Sequence, residues 1–306
     1  MTTGQHIHYL NRKEIDPVRW DNCIHQSANS LIYGLHFYLD HMAAGQWDAL
    51  ILGDYEAVMP LPWRRKYGIR YLYQPPFTQQ TGIFSAQPLP ADLIETFLQN
   101  IRKHFRFAEI CLNHGNALAP LQPRANFILP LNVPYSQLAI HYKKDLVRNL
   151  RLAARSPLIY STEPDLTATL ESYRREYSVR TPHVRPHDYA HFESLCRYCQ
   201  VRDQLVLRAA IAPGSGIIAT ALLLRDRNRL YLLQSTTPAA GRRKEANHFL
   251  LDQLIREWAG SGLLLDFEGS GIPGIAHFYK NFGSIGQPYY FYRHNQLPWF
   301  FNLFKH

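Results

Sequence analysis

The chain has 306 residues, of which 46% are hydrophobic and 19% are charged, so its composition excludes a disordered chain and its length allows two ordinary domains. Its formal net charge of +9 at pH 7 favours an anionic partner such as RNA, a nucleotide, or a phosphorylated or lipid-linked substrate. The apolar runs are all shorter than the ~20 residues that cross a bilayer, and 4 cysteines are too few for a dense disulfide framework.

The first half of the chain is predicted to begin with helices and to continue as strands. Pro17 and the aromatic residues that follow it predict helices within residues 16–45. Short apolar runs separated by Gly-containing turns predict strands next. The elements after residue 45 are, in order, strands 47–52, 57–63 and 70–74, a Pro-rich loop at 74–82, a helix at 91–104 and a strand at 107–113.

A basic helix is predicted between the two halves, over residues 136–155. Its cations advance by four, three and four residues and therefore form one stripe, roughly opposite an apolar face. The stripe consists of Lys144, Arg148, Arg151 and Arg155, and the apolar face consists of Tyr142, Leu146, Leu150 and Ala153. Two interpretations stay open for the stripe: a solvated face, or a surface that binds an anion.

The second half repeats the order of the first. After a mainly helical stretch at 163–200, the predicted elements are strands 205–211, 216–224 and 229–234, a helix at 243–260, a strand at 263–268 and a final short helix. Residues 71–74 correspond to residues 231–234, and strand 107–113 takes the place of strand 263–268. The repetition predicts an α/β (α+β) fold of two mixed-sheet domains, residues 1–135 and 136–306, packed across a cleft.

A candidate anion site lies where strand 229–234 is followed by a Gly-containing loop and a helix. The first turn of a helix leaves backbone N–H groups unpaired, and the helix dipole favours negative charge there. Arg242, Arg243 and Lys244 occupy this position, next to Gly241. The pattern therefore predicts that an anionic ligand binds at this loop.

Two carboxylates, Asp266 and Glu268, stand at the end of the predicted strand 263–268. Because they are two residues apart, they are predicted to face the same side of the sheet. Carboxylates at a strand end beside an anion site are candidate proton acceptors. The alternative interpretation is that they bond backbone N–H groups of the Gly269-Ser270-Gly271 turn.

Three segments of the chain resemble the Fem-type aminoacyltransferases and their relatives in the GNAT superfamily: residues 142–153, 234–258 and 266–283. The third is the most specific, because a Gly/Ser turn, an aromatic-Lys pair and Phe-Gly follow one another in the family's order. The resemblance implies two tandem GNAT-like domains and transfer of an acyl or aminoacyl group to an amine. The pyrophosphate loop of GNAT acetyltransferases usually has Arg or Gln, two residues, Gly, one residue, and then Gly or Ala. In this chain Gly241 fits that pattern, but Pro238 stands in place of the Arg or Gln and Arg243 in place of the last Gly or Ala. This departure favours a donor held by side-chain cations, as aminoacyl-tRNA is in the Fem group.

The resemblance also implies roles for particular residues. In the second domain, the acyl carbonyl would be polarised by backbone N–H groups near Gln234, Ser235 and Thr236. The donor's phosphates would be held by Gly241, Arg242, Arg243 and Lys244. Asp266 or Glu268 would accept the amine proton, Tyr279 would protonate the leaving group, and Lys280 would meet negative charge on donor or acceptor. In the first domain, the acceptor pocket would be lined by Tyr73, Gln74, Phe77, Gln79 and Gln80, with a purely structural turn as the alternative.

The sequence thus predicts an N-acyltransferase whose donor is an acyl-CoA, such as acetyl-CoA, or an aminoacyl-tRNA, and whose acceptor is a small-molecule or peptide amine. The alternative is a non-catalytic binding module for RNA or a phosphorylated cell-wall precursor on the same scaffold. No metal site is predicted, because the single Cys-x-x-Cys pair, Cys196 and Cys199, lies in a helical segment. The N-terminus lacks the charged-then-apolar order of a signal peptide, so a cytoplasmic protein without stable membrane insertion is expected. The oligomeric state stays open.

Overall fold

The structure is a computed structural model, and it describes residues 6–182, 184–269 and 271–298. The chain divides into two compact units. The first unit combines Met1–Arg124 with Pro288–His306, and the second is Ala125–Gln287. Among the described residues, no helix is both long enough and apolar enough to pass through a membrane.

The strands and α-helices are numbered in chain order. The strands are β1 (Ile7–Asn11), β2 (Trp47–Leu52), β3 (Ala57–Lys66), β4 (Ile69–Leu72), β5 (Phe84–Ser85), β6 (Phe107–Leu112), β7 (Gln122–Arg124), β8 (Phe127–Pro130), β9 (Ile159–Ser161), β10 (Leu205–Ala212), β11 (Gly216–Arg225), β12 (Arg229–Thr236), β13 (Leu264–Asp266), β14 (Ile285–Gly286) and β15 (Tyr289–Asn295). The helices are α1 (Pro17–Gln26), α2 (His36–Met42), α3 (Ala91–His104), α4 (Tyr135–Ala139), α5 (Lys144–Ala153), α6 (Leu166–Tyr177), α7 (Pro186–Gln200), α8 (Ala239–Arg242), α9 (Ala246–Trp258) and α10 (Pro273–Lys280).

The first unit is built on one mixed sheet in the order β1-β2-β3-β4-β6-β15-β7, with β5 paired to β3. Helix α3 spans the predicted residues 91–104 because its apolar side chains recur at intervals of three and four and pack into the core. Those buried side chains are Ile94, Phe97, Leu98 and Ile101. The helix therefore joins β4 to β6, which run parallel.

The second unit is built on a sheet in the order β14-β8-β13-β12-β11-β10-β9. Helix α9 joins β12 to the parallel strand β13. Its buried side chains are Ala246, Leu250, Leu251, Asp252, Leu254 and Ile255. Most of them belong to the same apolar core as Leu223, Leu230 and Leu265 of the sheet.

The predicted repetition of one mixed module is confirmed. In the first unit β2, β3 and β4 are antiparallel neighbours, α3 follows, and β6 lies parallel to β4. In the second unit β10, β11 and β12 are antiparallel neighbours, α9 follows, and β13 lies parallel to β12. In each module one more strand pairs antiparallel with the strand that follows the helix: β15 pairs with β6, and β8 pairs with β13.

The division of the structure differs from the boundary expected at residues 135 and 136. The second unit already begins at Ala125, because β8 pairs with β13. From Pro288 onward the chain belongs to the first unit, because β15 pairs with β6 and β7. Both pairings join segments that are far apart in sequence, so local patterns carry no sign of them.

Three predicted elements are shorter or more broken than expected. The helix predicted over 136–155 is two helices, α4 and α5, so that Arg155 lies beyond the end of α5. The helix predicted over 243–260 is α9, preceded by the single turn α8. The strand predicted over 263–268 ends at Asp266, because Glu268 takes a left-handed conformation with φ of 56° and turns the chain.

Candidate functional site

The candidate site begins where the parallel ladder between β12 and β13 stops. The ladder runs from the pair of Arg229 and Leu264 to the pair of Tyr231 and Asp266. Strand β12 continues to Thr236, so its last five residues extend past the ladder. Their backbone groups on that side can therefore bond a ligand that enters beside the strand.

A β-bulge changes the direction of β12 at the same point. The register between β11 and β12 shifts where Leu222 faces Gln234 and Leu223 faces Leu232, which leaves Leu233 as the extra residue. A bulge bends its strand and re-aims the side chains that follow. The bulge therefore changes the direction of Gln234, Ser235 and Thr236, near which backbone N–H groups are expected to polarise an acyl carbonyl.

Buried polar atoms without partners gather along this part of β12. Gln234 is 3% exposed, and neither its Oε1 nor its Nε2 has a hydrogen-bond partner among the described residues. The same holds for the hydroxyls of Thr236 and Thr237. A buried polar group left unpaired costs about 1–3 kcal/mol, so such a group is typical of a place where a ligand supplies the partner. Ser235 differs, because its Oγ donates to Oδ1 of Asn247 at 3.0 Å.

The loop after β12 places its cations at the surface. Arg242 and Arg243 are exposed and Lys244 is half-buried. Arg242 donates to the carbonyl of Thr237 at 2.6 Å and lies 3.9 Å from a carboxylate oxygen of Glu176 on α6. Arg243 and Lys244 are thus the cations of this loop most open to a ligand.

Gly241 is required by close packing rather than by a ligand. A Cβ at this position would lie 1.9 Å from the carbonyl oxygen of Ile218 on β11. The main chain of α8 therefore rests directly on the sheet, which only glycine permits.

Part of the backbone of this loop is already hydrogen-bonded within the loop. The N–H groups of residues 242–245 all donate to carbonyls within residues 238–242, so they are engaged inside the loop. Glu245 occupies the N-cap of α9, and its carboxylate lies 2.9 Å from Nδ1 of His248. A carboxylate at a helix N-terminus competes with an anionic ligand there. Side-chain cations are therefore a more direct contact for an anionic donor than the N–H groups of residues 242–245.

Asp266 is held in a buried ion pair. It is 0% exposed, and its Oδ2 lies 2.8 Å from Nη1 of Arg229, which is also buried. Its Oδ1 accepts the side-chain N–H of Asn126 at 3.0 Å and the backbone N–H of Glu268 at 3.0 Å. Burial raises the pKa of the Asp266 carboxyl, while Arg229 and these hydrogen bonds act in the opposite direction. Asp266 therefore joins β12, β13 and the segment before β8.

Glu268 has the opposite environment. Its Oε1 is shielded from solvent and has no hydrogen-bond partner among the described residues. Burial raises the pKa of the Glu268 carboxyl well above the ordinary glutamate range, because nothing compensates the lost solvation. Of the two predicted carboxylates, Glu268 is the one whose Oε1 no described residue bonds and whose carboxylate burial makes more basic without a compensating cation.

Tyr279 on α10 lies beside Glu268. Its ring stacks on Phe267 with centroids 4.8 Å apart. Burial raises the pKa of the Tyr279 phenol, and the nearby Glu268 carboxylate raises it further. Tyr173 and Tyr177 of α6 contribute in the same direction, which brings a second helix to the site. No sequence pattern pointed to these two tyrosines, since only the fold brings α6 to this place.

Two other predicted residues of the second unit, Lys280 and Ser270, do not add to this group of side chains. Lys280 is exposed, with its Nζ 5.3 Å from the ring centroid of Phe127, and it lines a separate cavity. Ser270 of the predicted Gly/Ser turn lies outside the described residues. Within the described ranges, no group of three or more His, Cys, Asp and Glu side chains could hold a metal ion.

In the first unit, the loop predicted to line an acceptor pocket is tied into its own sheet. Gln74 donates to the carbonyl of Thr78 at 2.8 Å and accepts the backbone N–H of Cys111 at 2.9 Å. Gln80 is 0% exposed, donates to Oε1 of Gln79 at 2.5 Å and accepts the backbone N–H of His114 at 3.2 Å.

The remaining loop residues show similar structural contacts. Phe77 has φ of 57°, and its carbonyl accepts a hydrogen bond from Tyr38. The ring of Tyr73 carries the guanidinium of Arg64 at 4.3 Å. Thr81 forms a parallel bridge with Leu112 of β6. The loop thereby pairs with β6 past the end of the β4–β6 ladder, and these contacts support the structural interpretation.

Comparison with known proteins identifies the architecture. Residues 141–280 match a family model described as an acetyltransferase (GNAT) domain. A search of curated protein sequences found no significant match. The crystal structure of FemX is similar over 98% of this chain and 100% of that chain, with a TM-score of 0.66 and 12% identity.

Two further solved structures share the fold. The C-terminal domain of a putative lysylphosphatidylglycerol synthetase from Agrobacterium fabrum gives a TM-score of 0.56 at 12% identity, over 93% of each chain. A tandem GNAT protein from the clavulanic acid biosynthesis pathway gives 0.51 at 11% identity, over 96% of this chain and 99% of that one. The chain therefore has a tandem GNAT-like fold similar to that of FemX, and the resemblance inferred from the sequence is confirmed at this level.

Proposed function

We propose that this protein is an N-acyltransferase that moves an acyl or aminoacyl group from an activated donor to an amine. The observation that carries the proposal is the secluded carboxylate of Glu268 beside Tyr279, at the end of the sheet where β12 extends past β13. A basic carboxylate, a phenol and an unpaired strand edge can supply the base, the acid and the oxyanion contacts of acyl transfer to an amine.

The steps follow from these groups. The lone pair of the neutral amine attacks the donor's carbonyl carbon, and the Glu268 carboxylate takes the proton that the amine loses. A backbone N–H group near Gln234, Ser235 and Thr236 stabilises the oxyanion that forms. The intermediate then collapses, the bond to the leaving group breaks, and the Tyr279 hydroxyl protonates the leaving oxygen or sulfur. The raised pKa keeps the Tyr279 phenol protonated at neutral pH but makes it a weak acid, so it donates best to a strongly basic leaving group such as an alkoxide.

Aminoacyl-tRNA fits the observed loop better than coenzyme A as the donor. A coenzyme A pyrophosphate is held by backbone N–H groups at such a turn, and the N–H groups of residues 242–245 already bond within the loop. The exposed Arg243 and the half-buried Lys244 can instead contact phosphates by their side chains. The Fem-type resemblance supplies the aminoacyl ester as the matching donor class.

Removing one loop cation tests the donor. Arg243→Met is expected to weaken binding of aminoacyl-tRNA about tenfold at low salt and to reduce the salt slope of binding by about one, because one phosphate contact is lost. Filter binding over a salt series measures both values. Lys103→Met, which removes an exposed lysine of α3 in the first unit, serves as the matched control and should leave both unchanged.

Two results would contradict this donor assignment. Transfer from acetyl-CoA that Arg243→Met leaves unchanged would show that the donor is held by other groups. RNA binding that depends on Lys144, Arg148 and Arg151, with no turnover of any acyl donor, would support the alternative of a non-catalytic binding module. That alternative has one structural point in its favour: these side chains are exposed on α5, and in the described part of the chain an acidic partner is found only for Arg148, at 3.2 Å from Asp145.

The raised pKa of Glu268 predicts the pH dependence of transfer. Only the ionised carboxylate accepts a proton, so kcat/KM should rise with pH along a limb well above the ordinary glutamate pKa of about 4.3. The acceptor amine also titrates, so the profile should be measured with two acceptors of different amine pKa. The limb of Glu268 stays in place when the acceptor changes. A limb at about pH 4, or one that moves entirely with the acceptor, would exclude Glu268 as the base.

A further inference from the structure

The turn that carries Glu268 is bonded to two buried side chains of the second unit. After β13 ends at Asp266, the backbone N–H of Glu268 donates to Oδ1 of Asp266 at 3.0 Å. The backbone N–H of Gly269 donates to Oδ1 of Asn126 at 2.7 Å. The Nδ2 of Asn126 also donates to Oδ1 of Asp266 at 3.0 Å. One amide side chain therefore binds both the end of the strand and the turn that follows it.

Asn126 is itself held firmly in place. It is 1% exposed and directly precedes β8, the strand that pairs with β13. Its carbonyl accepts the backbone N–H of Gln287 at 3.0 Å, and Oε1 of Gln287 accepts a hydrogen bond from Nη1 of Arg229 at 2.8 Å. A buried side chain within such a network has little freedom to move, so the groups that it bonds are held with it.

Gly269 brings the turn into direct contact with the segment before β8. A Cβ at Gly269 would lie 2.2 Å from the carbonyl oxygen of Ala125 and 2.4 Å from Cα of Asn126, so only glycine fits there. Glu268, just before it, has a left-handed φ of 56°, which a residue with a side chain rarely adopts unless its surroundings hold it there. Contacts with distant residues therefore set the direction of the Glu268 side chain.

The Glu268 carboxylate has a physical reason to leave its place. Its Oε1 is shielded from solvent and has no hydrogen-bond partner among the described residues, although the residue as a whole is only half-buried. Ionisation of the carboxyl therefore costs solvation free energy, and a rotation toward the nearby solvent would recover it. The ionised side chain stays in place only where the backbone of the turn is kept from rotating.

We propose that Asn126 is a positioning residue that keeps the turn at Glu268 and Gly269 closed, so that the Glu268 carboxylate stays secluded when it is ionised. Asn126 acts through Asp266 and the backbone of Gly269. A carboxylate held away from solvent keeps the basicity that proton transfer from an amine needs. The use of this positioning in the reaction rests on the proposed function of Glu268 as the base, whereas the holding of the turn does not.

NMR titration of protein that carries carbon-13 in its glutamate side chains tests the holding of the turn without any substrate. Glu268→Gln assigns the Glu268 signal by removing it. The parent should show a Glu268 pKa above the ordinary range, because burial opposes the charged form. Asn126→Ala should lower this pKa by about one unit, because the freed turn lets the carboxylate reach solvent. Asn228→Ala, which alters an exposed asparagine of the same unit, is the matched control and should leave the pKa unchanged.

The labelled signal separates Glu268 from the other groups that titrate or carry charge around it. In the described part of the second unit these groups are Asp266, Arg229, Tyr279, Tyr173 and Tyr177. None of them is a glutamate, so none contributes a labelled carboxyl. A shift of the signal in Asn126→Ala therefore reports the surroundings of Glu268 itself.

A second variant perturbs the same contact and leaves the side chain of Asn126 intact. Gly269→Ala places a Cβ against Ala125 and Asn126, which pushes the turn outward. It should lower the Glu268 pKa in the same direction as Asn126→Ala. In steady-state transfer assays both variants should lower kcat about tenfold and leave KM for donor and acceptor within about twofold of the parent, because the base moves while the binding groups stay. Thermal unfolding of each variant checks that the fold is kept.

Two outcomes would overturn the proposal. One is a Glu268 pKa that Asn126→Ala and Gly269→Ala both leave unchanged. The other is a loss of stability in Asn126→Ala with unchanged pKa and unchanged kcat, which marks an asparagine that only stabilises the fold. If Glu268→Gln transfers at the rate of the parent, the proposed function fails, and the titration still decides whether Asn126 holds the turn. If Glu268→Gln is slow while Asn126→Ala titrates and transfers like the parent, the proposed function stands and Asn126 has no positioning role.

Discussion

Replacing Glu268 by glutamine is expected to lower the rate of acyl transfer by about 10² to 10⁴, the usual contribution of a general base. Glutamine keeps the size of the side chain but cannot accept the amine proton. The measurement is a single-turnover rate with saturating donor and acceptor, which separates chemistry from product release. Glu163→Gln, an exposed glutamate in the same unit, is the matched control and should leave the rate unchanged.

The same substitution has an expected effect on stability that follows from the burial of Glu268 and does not depend on its role in the reaction. Because burial raises the pKa of the folded Glu268 carboxyl, the unfolded chain releases this proton at lower pH than the folded chain does. Folding stability is therefore lost as the pH rises from the ordinary glutamate range through the raised pKa. Glu268→Gln removes that loss, so its thermal midpoint should exceed the parent's at about pH 8 and match it at about pH 4. A glutamine variant that is less stable than the parent at the higher pH would show that the Glu268 carboxylate stabilises the fold.

Replacing Asp266 by alanine is expected to destabilise the protein by about 3–5 kcal/mol, because Arg229 would remain buried without its partner. The hydrogen bonds to Asn126 and to the backbone of Glu268 would be lost as well. Urea unfolding of the parent and the variant measures the difference in free energy of unfolding. The double variant Asp266→Leu with Arg229→Met should recover much of the loss, since apolar side chains replace the whole ion pair.

A different result for Asp266 would change the mechanism. If Asp266→Ala unfolded at the same urea concentration as the parent but transferred no acyl group, Asp266 would act in the reaction itself. It would then replace Glu268 as the candidate proton acceptor. If Asp266→Ala and Glu268→Gln both transferred the acyl group at the rate of the parent, neither carboxylate would take part in the reaction.

Local patterns predicted the elements whose packing depends on their own periodicity. Helix α3 spans the predicted 91–104 because its apolar side chains are spaced for one buried face. Strand β2 matches the predicted 47–52, where an apolar run is bounded by turns. The repetition of these local elements was enough to predict a tandem fold of two mixed sheets.

The different fates of the two carboxylates could not be read from their spacing. Residues two apart on a strand share a face, but the strand ends at Asp266 and Glu268 turns away with a positive φ. Arg229 and Asn126, which bind Asp266, lie 37 and 140 residues away in sequence. No local rule connects these positions.

The loop at residues 74–82 shows the same limit. Its prolines, glutamines and threonines fit an acceptor pocket and a structural turn equally well as a sequence. The structure shows Gln74 bonded to the backbone of Cys111 and Gln80 bonded to that of His114, both on or just after β6. These non-local bonds tie the loop to β6 beside β4, whereas the ladder between β12 and β13 stops at Tyr231 and Asp266.

The sequence by itself therefore determined the two mixed modules, the order of their elements and the resemblance to the GNAT and Fem-type proteins, because periodicity, turn residues and motifs are local properties of the chain. Only the tertiary structure decided which carboxylate is neutralised by Arg229, which one keeps an unpaired oxygen, and where Asn126 meets the turn that carries it. Burial and pairing set the charge and basicity of a side chain, and both depend on neighbours that are distant in sequence.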